Sequence, residues 1–89
     1  MKYVAKYSNQ FRKDFKLCIK RGYNMQLIKE IMLALENSEP LNEKNRDHSL
    51  FGNYVGYREC HIQPDWLLIY QVSESVLVFN RTGTHADLF

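Results

Sequence analysis

The chain has 89 residues, 45% of them apolar and 13% aromatic, with a formal net charge of +2. That length allows one domain, burying about 60–65% of its unfolded surface, and the apolar content excludes a disordered chain. No apolar run exceeds Trp66–Tyr70, far short of the ~20 residues that cross a bilayer, and no signal-peptide core precedes residue 21, so a cytoplasmic protein is expected.

Taken in order, Tyr3–Tyr7 reads as an edge strand. Ser8 is a helix N-cap, followed by an apolar stripe at Phe11, Phe15, Cys18 and Ile19 and ended by Gly22. Asn24 caps a second helix with its stripe at Ile28, Ile31, Met32 and Leu35, and Pro40 stops it. So short a connection predicts that the two helices pack antiparallel. A polar loop follows over residues 37–47, then an irregular stretch around Tyr54 between Gly52 and Gly56. Tyr57–Gln63 alternates as a strand, and Gln63-Pro64-Asp65 turns into Trp66–Val72, whose apolar character suits a central strand. Ser73–Ser75 turns into a last strand, Val76–Thr82, which Gly83 ends before a short tail. The expected fold class is α+β, with two N-terminal antiparallel helices on a twisted antiparallel sheet in a single domain, 1–89.

Charge is uneven. Residues 1–21 hold seven Lys/Arg and one acid, a local +6, whereas residues 22–89 hold five Lys/Arg and nine acids, a local −4. Arg12, Lys13, Lys16 and Lys20 thus form a basic helix face that suits a polyanion, although such a face is often simply solvated. Cys18 and Cys60 have neither disulfide-framework nor zinc-site spacing and read as small buried apolar residues.

All three histidines, His48, His61 and His85, lie in the second half, in three different elements. Antiparallel strands bring the ends carrying His61, Asp65, Trp66, Arg81 and His85 together. Imidazole can take the proton from an attacking 2′-hydroxyl or give one to a leaving 5′-oxygen near neutral pH, and arginine can hold the phosphate, so RNA cleavage on this set requires no metal or other cofactor. Trp66, Tyr54 and Phe89 are candidates to stack on bases, although a tryptophan opening a strand also reads as core. Cys60 and His61, adjacent in a strand, point to opposite faces, which counts against a joint metal site. The register stays open: His61 aligns with Leu68 and Asn80, turning Arg81 away, or with Ile69 and Phe79, placing Arg81 on its face.

Four strings carry a resemblance: residues 47–52 (Asp-His-Ser-Leu-Phe-Gly), 56–62 (Gly-Tyr-Arg-Glu-Cys-His-Ile), 64–70 (Pro-Asp-Trp-Leu-Leu-Ile-Tyr) and 81–89 (Arg-Thr-Gly-Thr-His-Ala-Asp-Leu-Phe). In this order they resemble the YafQ branch of the RelE/ParE toxin superfamily, and Tyr7-Ser8 with residues 11–14 and 20–22 is similar too. The resemblance implies a type II toxin that cuts mRNA in the ribosomal A site, is a monomer alone and is hetero-oligomeric with a cognate antitoxin. It also implies His48, His61, Asp65, Arg81 and His85 as catalytic residues, with His85 the general acid and His61 or Asp65 the base. Trp66 and Phe89 would hold nucleotides, with Tyr54 a further stacking candidate from its residue type, and the basic helix would meet ribosomal RNA. Ser49 stands where the family often has proline, which would loosen the hold on His48. The rival within the superfamily is a non-enzymatic ParE-like inhibitor of DNA gyrase, under which the histidines would be idle.

Overall fold

A computed structural model describes residues 2–89. Its elements are strand β1 (Val4–Tyr7), helices α1 (Asn9–Lys20) and α2 (Met25–Glu36), strands β2 (His48–Ser49), β3 (Arg58–Gln63), β4 (Trp66–Ser73) and β5 (Val76–Gly83), and the short helix α3 (His85–Leu88). The strands form one sheet in the order β1-β5-β4-β3-β2.

Both long helices start and stop as their sequences dictate. The Ser8 hydroxyl accepts the Phe11 N–H, and Asn24 accepts the Gln26 N–H. At the end of α1, Gly22 sits at φ +77°, while its N–H and that of Tyr23 return to the Ile19 and Cys18 carbonyls. Both orphan carbonyls are satisfied this way, in a Schellman motif. Ser38 closes α2 in the same manner at φ +59°.

One face of the sheet lies under α1 and α2. Phe11, Cys18, Ile28 and Leu35 pack there against Cys60, Trp66, Leu68, Tyr70, Leu77 and Phe79. A smaller cluster of Leu67, Ile69 and Leu88, flanked by Leu50, Tyr54 and Tyr57, covers part of the other face. β4 is buried on both faces from Trp66 to Tyr70, as its unbroken apolar run requires.

Three features differ from the sequence expectations. The sheet is mixed, because β1 runs parallel to β5, with Val4 opposite Val76 and Tyr7 opposite Phe79. These strands are not joined by a hairpin, so no tight turn imposes an antiparallel direction. In α1, Ile19 is 54% exposed and Asp14 takes a buried place between Phe11 and Cys18. The residues after Gly83 form α3 instead of a loose tail, through a reciprocal capping box between Thr84 and Asp87.

Both expected registers are replaced by a third. His61 pairs with Leu67, and Leu67 pairs with Gly83. Irregularities between His61 and Gln63 and between Ile69 and Tyr70 each shift the count, which turn length alone does not reveal. The outcome is a cross-strand row, His48, Glu59, Ile69, Arg81, with His61 one step further along the same face.

Candidate active site

Three imidazoles line up on the sheet face away from α1 and α2. The ring centroids of His48 and His61 are 6.4 Å apart, and those of His61 and His85 are 5.8 Å apart. Each ring is held from a different element. The Arg46 carbonyl, which can only accept, lies 2.6 Å from His48 Nδ1, so that nitrogen carries the hydrogen and Nε2 turns inward. His61 projects from β3 with only 16% of its side chain exposed. His85 opens α3, where Asp65 Oδ1 accepts both its Nδ1–H at 2.6 Å and its backbone N–H at 2.9 Å. These bonds hold the Asp65 carboxyl below its usual pKa, the backbone one contributing most, and they leave His85 Nε2 facing outward.

Glu59, absent from the sequence-derived candidates, sits between two of the rings. It is 6% exposed, and its Oε1 lies 3.4 Å from His61 Nε2 and 3.5 Å from His48 Nε2. The signal was its position two residues before His61, which puts both side chains on one face of a strand.

Arg81 shares this face by register, but its side chain reaches over the sheet edge to α1. Nε donates to Asp14 Oδ2 at 2.8 Å and Nη2 to Oδ1 at 3.4 Å. Asp14 also accepts the Thr82 N–H, so it replaces a strand where β1 has ended. The nearby carboxylate raises the guanidinium pKa further, and 28% of the Arg81 side chain remains open to solvent.

Trp66 is a correction. It is 2% exposed on the helix side of the sheet, donates Nε1–H to Thr82 Oγ1 at 2.9 Å and packs on Tyr23. Its neighbour Leu67 shares the His61 face, so strand alternation sends Trp66 to the opposite one, into the helix-side core. Phe89, in contrast, is 62% exposed and meets Tyr54 edge-on at 5.4 Å, beside the imidazole-bearing α3. Arg12, Lys13, Lys16 and Lys20 are exposed on α1, on the far side of the sheet from the imidazoles. Ser49 does not loosen β2, because Arg58 Nη1 donates to its hydroxyl at 2.9 Å while Arg58 and Tyr70 both hold Asp47. Both thiols are buried as expected, and burial raises their pKa.

Among the described residues, no group of three or more His, Cys, Asp or Glu is arranged to hold a metal ion. The arrangement offers proton donors and acceptors side by side, with Arg81 on the same face by register and its guanidinium held over the sheet edge by Asp14.

Solved structures of bacterial toxins share this fold. The crystal structure of YafQ from E. coli strain BL21(DE3) superposes with a TM-score of 0.94, covering 98% of each chain at 44% identity. YafQ in the E. coli DinJ–YafQ toxin–antitoxin complex gives 0.92 at 44% identity, covering 100% of this chain and 99% of that one. In sequence, the mRNA interferase toxin YafQ of E. coli K12 is 48% identical over 84 residues, 93% of this chain and 91% of that protein. The family described as "Bacterial toxin of type II toxin-antitoxin system, YafQ" matches residues 3–89. The chain belongs to the YafQ family of type II toxins.

Proposed function

We propose that this toxin is an mRNA endoribonuclease that stops translation by cutting message on the ribosome, and that a cognate antitoxin silences it. The observation that carries the reading is the row of three imidazoles at 6.4 and 5.8 Å, with a carboxylate against each of them. The relatives support it: E. coli YafQ is named an mRNA interferase toxin, and a solved structure shows E. coli YafQ in a toxin–antitoxin complex with DinJ.

The chemistry follows from the atoms. His61 takes the proton of the 2′-hydroxyl as its oxygen attacks the adjacent phosphorus. His85, oriented by Asp65, gives a proton from Nε2 to the departing 5′-oxygen. The P–O5′ bond breaks, leaving a 2′,3′-cyclic phosphate and a 5′-hydroxyl. Asp65 serves better as the orienter of His85 than as the base, because its Oδ1 is twice engaged and its pKa is lowered. Glu59 fixes the inner nitrogens of His48 and His61, and His48 assists in proton transfer or placement. Arg81 stabilises the charge that gathers on the phosphorane. Phe89 and Tyr54 offer aromatic edges to the bases, and the cations of α1 give salt-dependent docking to ribosomal RNA. The reaction needs no metal, and its setting is the cytoplasm.

The test is a reconstituted translation reaction with mapped mRNA ends. Wild type is expected to cut within A-site codons and His85→Ala to leave the message intact. Equal cutting by the two, or none by wild type, overturns the reading.

A further inference from the structure

A cavity of about 600 Å³ opens at the edge of β3 between α2 and the turn over residues 43–46, and nothing in the proposed chemistry uses it. Its size falls within the roughly 300–1,000 Å³ of small-ligand sites. Its walls are of two kinds. Leu27, Ile62 and Pro64 give an apolar floor, while Lys44 and Arg46 stand at the margin. His61 belongs to the lining too; Ile62 and Leu27 lie on the helix side of the sheet and the His61 ring on the other, so the cavity meets the row around the edge of β3.

The two cations are placed by the backbone. Arg46 adopts a left-handed conformation at φ +47°, unusual outside glycine, after the 3-10 turn over Glu43–Asn45. Asn45, 7% exposed, ties that turn to β3 by donating to the His61 carbonyl at 2.7 Å. The Arg46 carbonyl meanwhile holds His48. Among the described residues, neither Lys44 nor Arg46 has an acidic partner within ion-pair distance. One short loop therefore fixes a catalytic-row ring on one side and presents two uncommitted cations on the other.

We infer that this cavity is a nucleotide subsite, holding the RNA residue next to the scissile phosphodiester, with its base on the apolar floor and its phosphate between Lys44 and Arg46. The inference rests on the nuclease reading above. Chemistry favours RNA as the occupant: a cationic rim over an apolar floor matches a phosphate joined to a base, and His61 in the lining puts the cavity next to the strand that carries one ring of the row. Lys44 and Arg46 are then positioning residues, which act by holding the strand in line.

The experiment uses ribosomes carrying an mRNA that is 2′-O-methylated in the A-site codon, so that toxin binds without cutting. Two phosphate contacts on a single strand contribute a salt slope of about 1.4, so wild type is expected to lose about sevenfold more affinity than Lys44→Ser/Arg46→Ser between 50 and 200 mM salt. On cleavable mRNA the loss falls on KM, and Lys44→Arg/Arg46→Lys restores it. A 4-thiouridine placed next to the scissile bond is expected to crosslink within residues 42–64. Crosslinks from that nucleotide to other parts of the toxin, and none within residues 42–64, overturn the mRNA assignment. Unchanged RNA binding with weakened antitoxin affinity would make the cavity a protein-docking pocket. If wild type cuts no message at all, the nuclease reading itself fails. If wild type cuts and the double variant matches it in KM and salt slope, only the subsite fails.

Discussion

Asp65 and His85 meet through a single carboxylate oxygen that accepts from both the ring Nδ1–H and the backbone N–H of the histidine, at 2.6 and 2.9 Å. The ring tautomer and the start of α3 are thus set together. His85→Ala is expected to lower single-turnover cutting by about 10²–10⁴-fold. Asp65→Asn keeps a hydrogen-bonding side chain but weakens a charge-assisted bond, so a smaller loss of roughly tenfold is expected. Quenched-flow cutting of a ribosome-bound message measures both.

Asp14→Ala strips the partner from Arg81 and the acceptor from the buried Thr82 N–H. Urea denaturation is expected to show a loss of about 2–4 kcal/mol, and cutting should fall beyond that loss because Arg81 becomes free to swing. Asp14→Asn, which retains an acceptor, is expected to lie between.

Trp66→Phe tests the placement of the indole in the core. The Nε1–H bond to Thr82 disappears, and stability is expected to drop by about 1–2 kcal/mol. Cutting per folded molecule should stay near wild type. A large kcat loss with unchanged stability would return Trp66 to the site.

Much of this fold is legible in residue order. Ser8, Asn24 and Gly22 act through local hydrogen bonds and local dihedral preference, so the limits of α1 and α2 can be read without knowing the rest of the chain. Arg81 shows where such reading stops. Its face depends on two strand irregularities set by tertiary packing, and a slip of one residue would reverse it. Glu59 and Asp14 escape a reading by residue type because acids usually mark solvent. Here each replaces a missing partner, for two imidazoles in one case and for a vanished strand in the other. The parallel entry of β1 leaves no trace in its own four residues.

The junction of α1 with α3 should be sensitive to acid. Arg21 pairs with Asp87 at 2.6 Å, and this pair holds the Asp87 carboxyl well below the ordinary aspartate range. A depressed carboxyl contributes stability that is complete above the unfolded value of about 3.9 and is lost as pH falls below it. Thermal melts are expected to show Tm declining below about pH 4, with Asp87→Asn giving a lower Tm at pH 7 and a flatter acid limb.

Gly83→Ala tests the same junction from within. A Cβ there would come within 2.7 Å of Asp87 Oδ2, so the capping box must open. Cutting is expected to fall more than stability, because α3 carries His85 but little of the core. Activity and urea midpoints measured on one preparation separate the two.

The edge pairing of β1 against β5 also bears on how the molecule is born. Ser8 bonds to Asn80 across a sequence separation of 72 residues, and β5 and α3 bring Arg81 and His85. While translation is still under way, the emerging polypeptide has neither a finished sheet nor an assembled imidazole row. Under the proposed function, a chain organised this way cannot cut message until β5 and α3 have emerged.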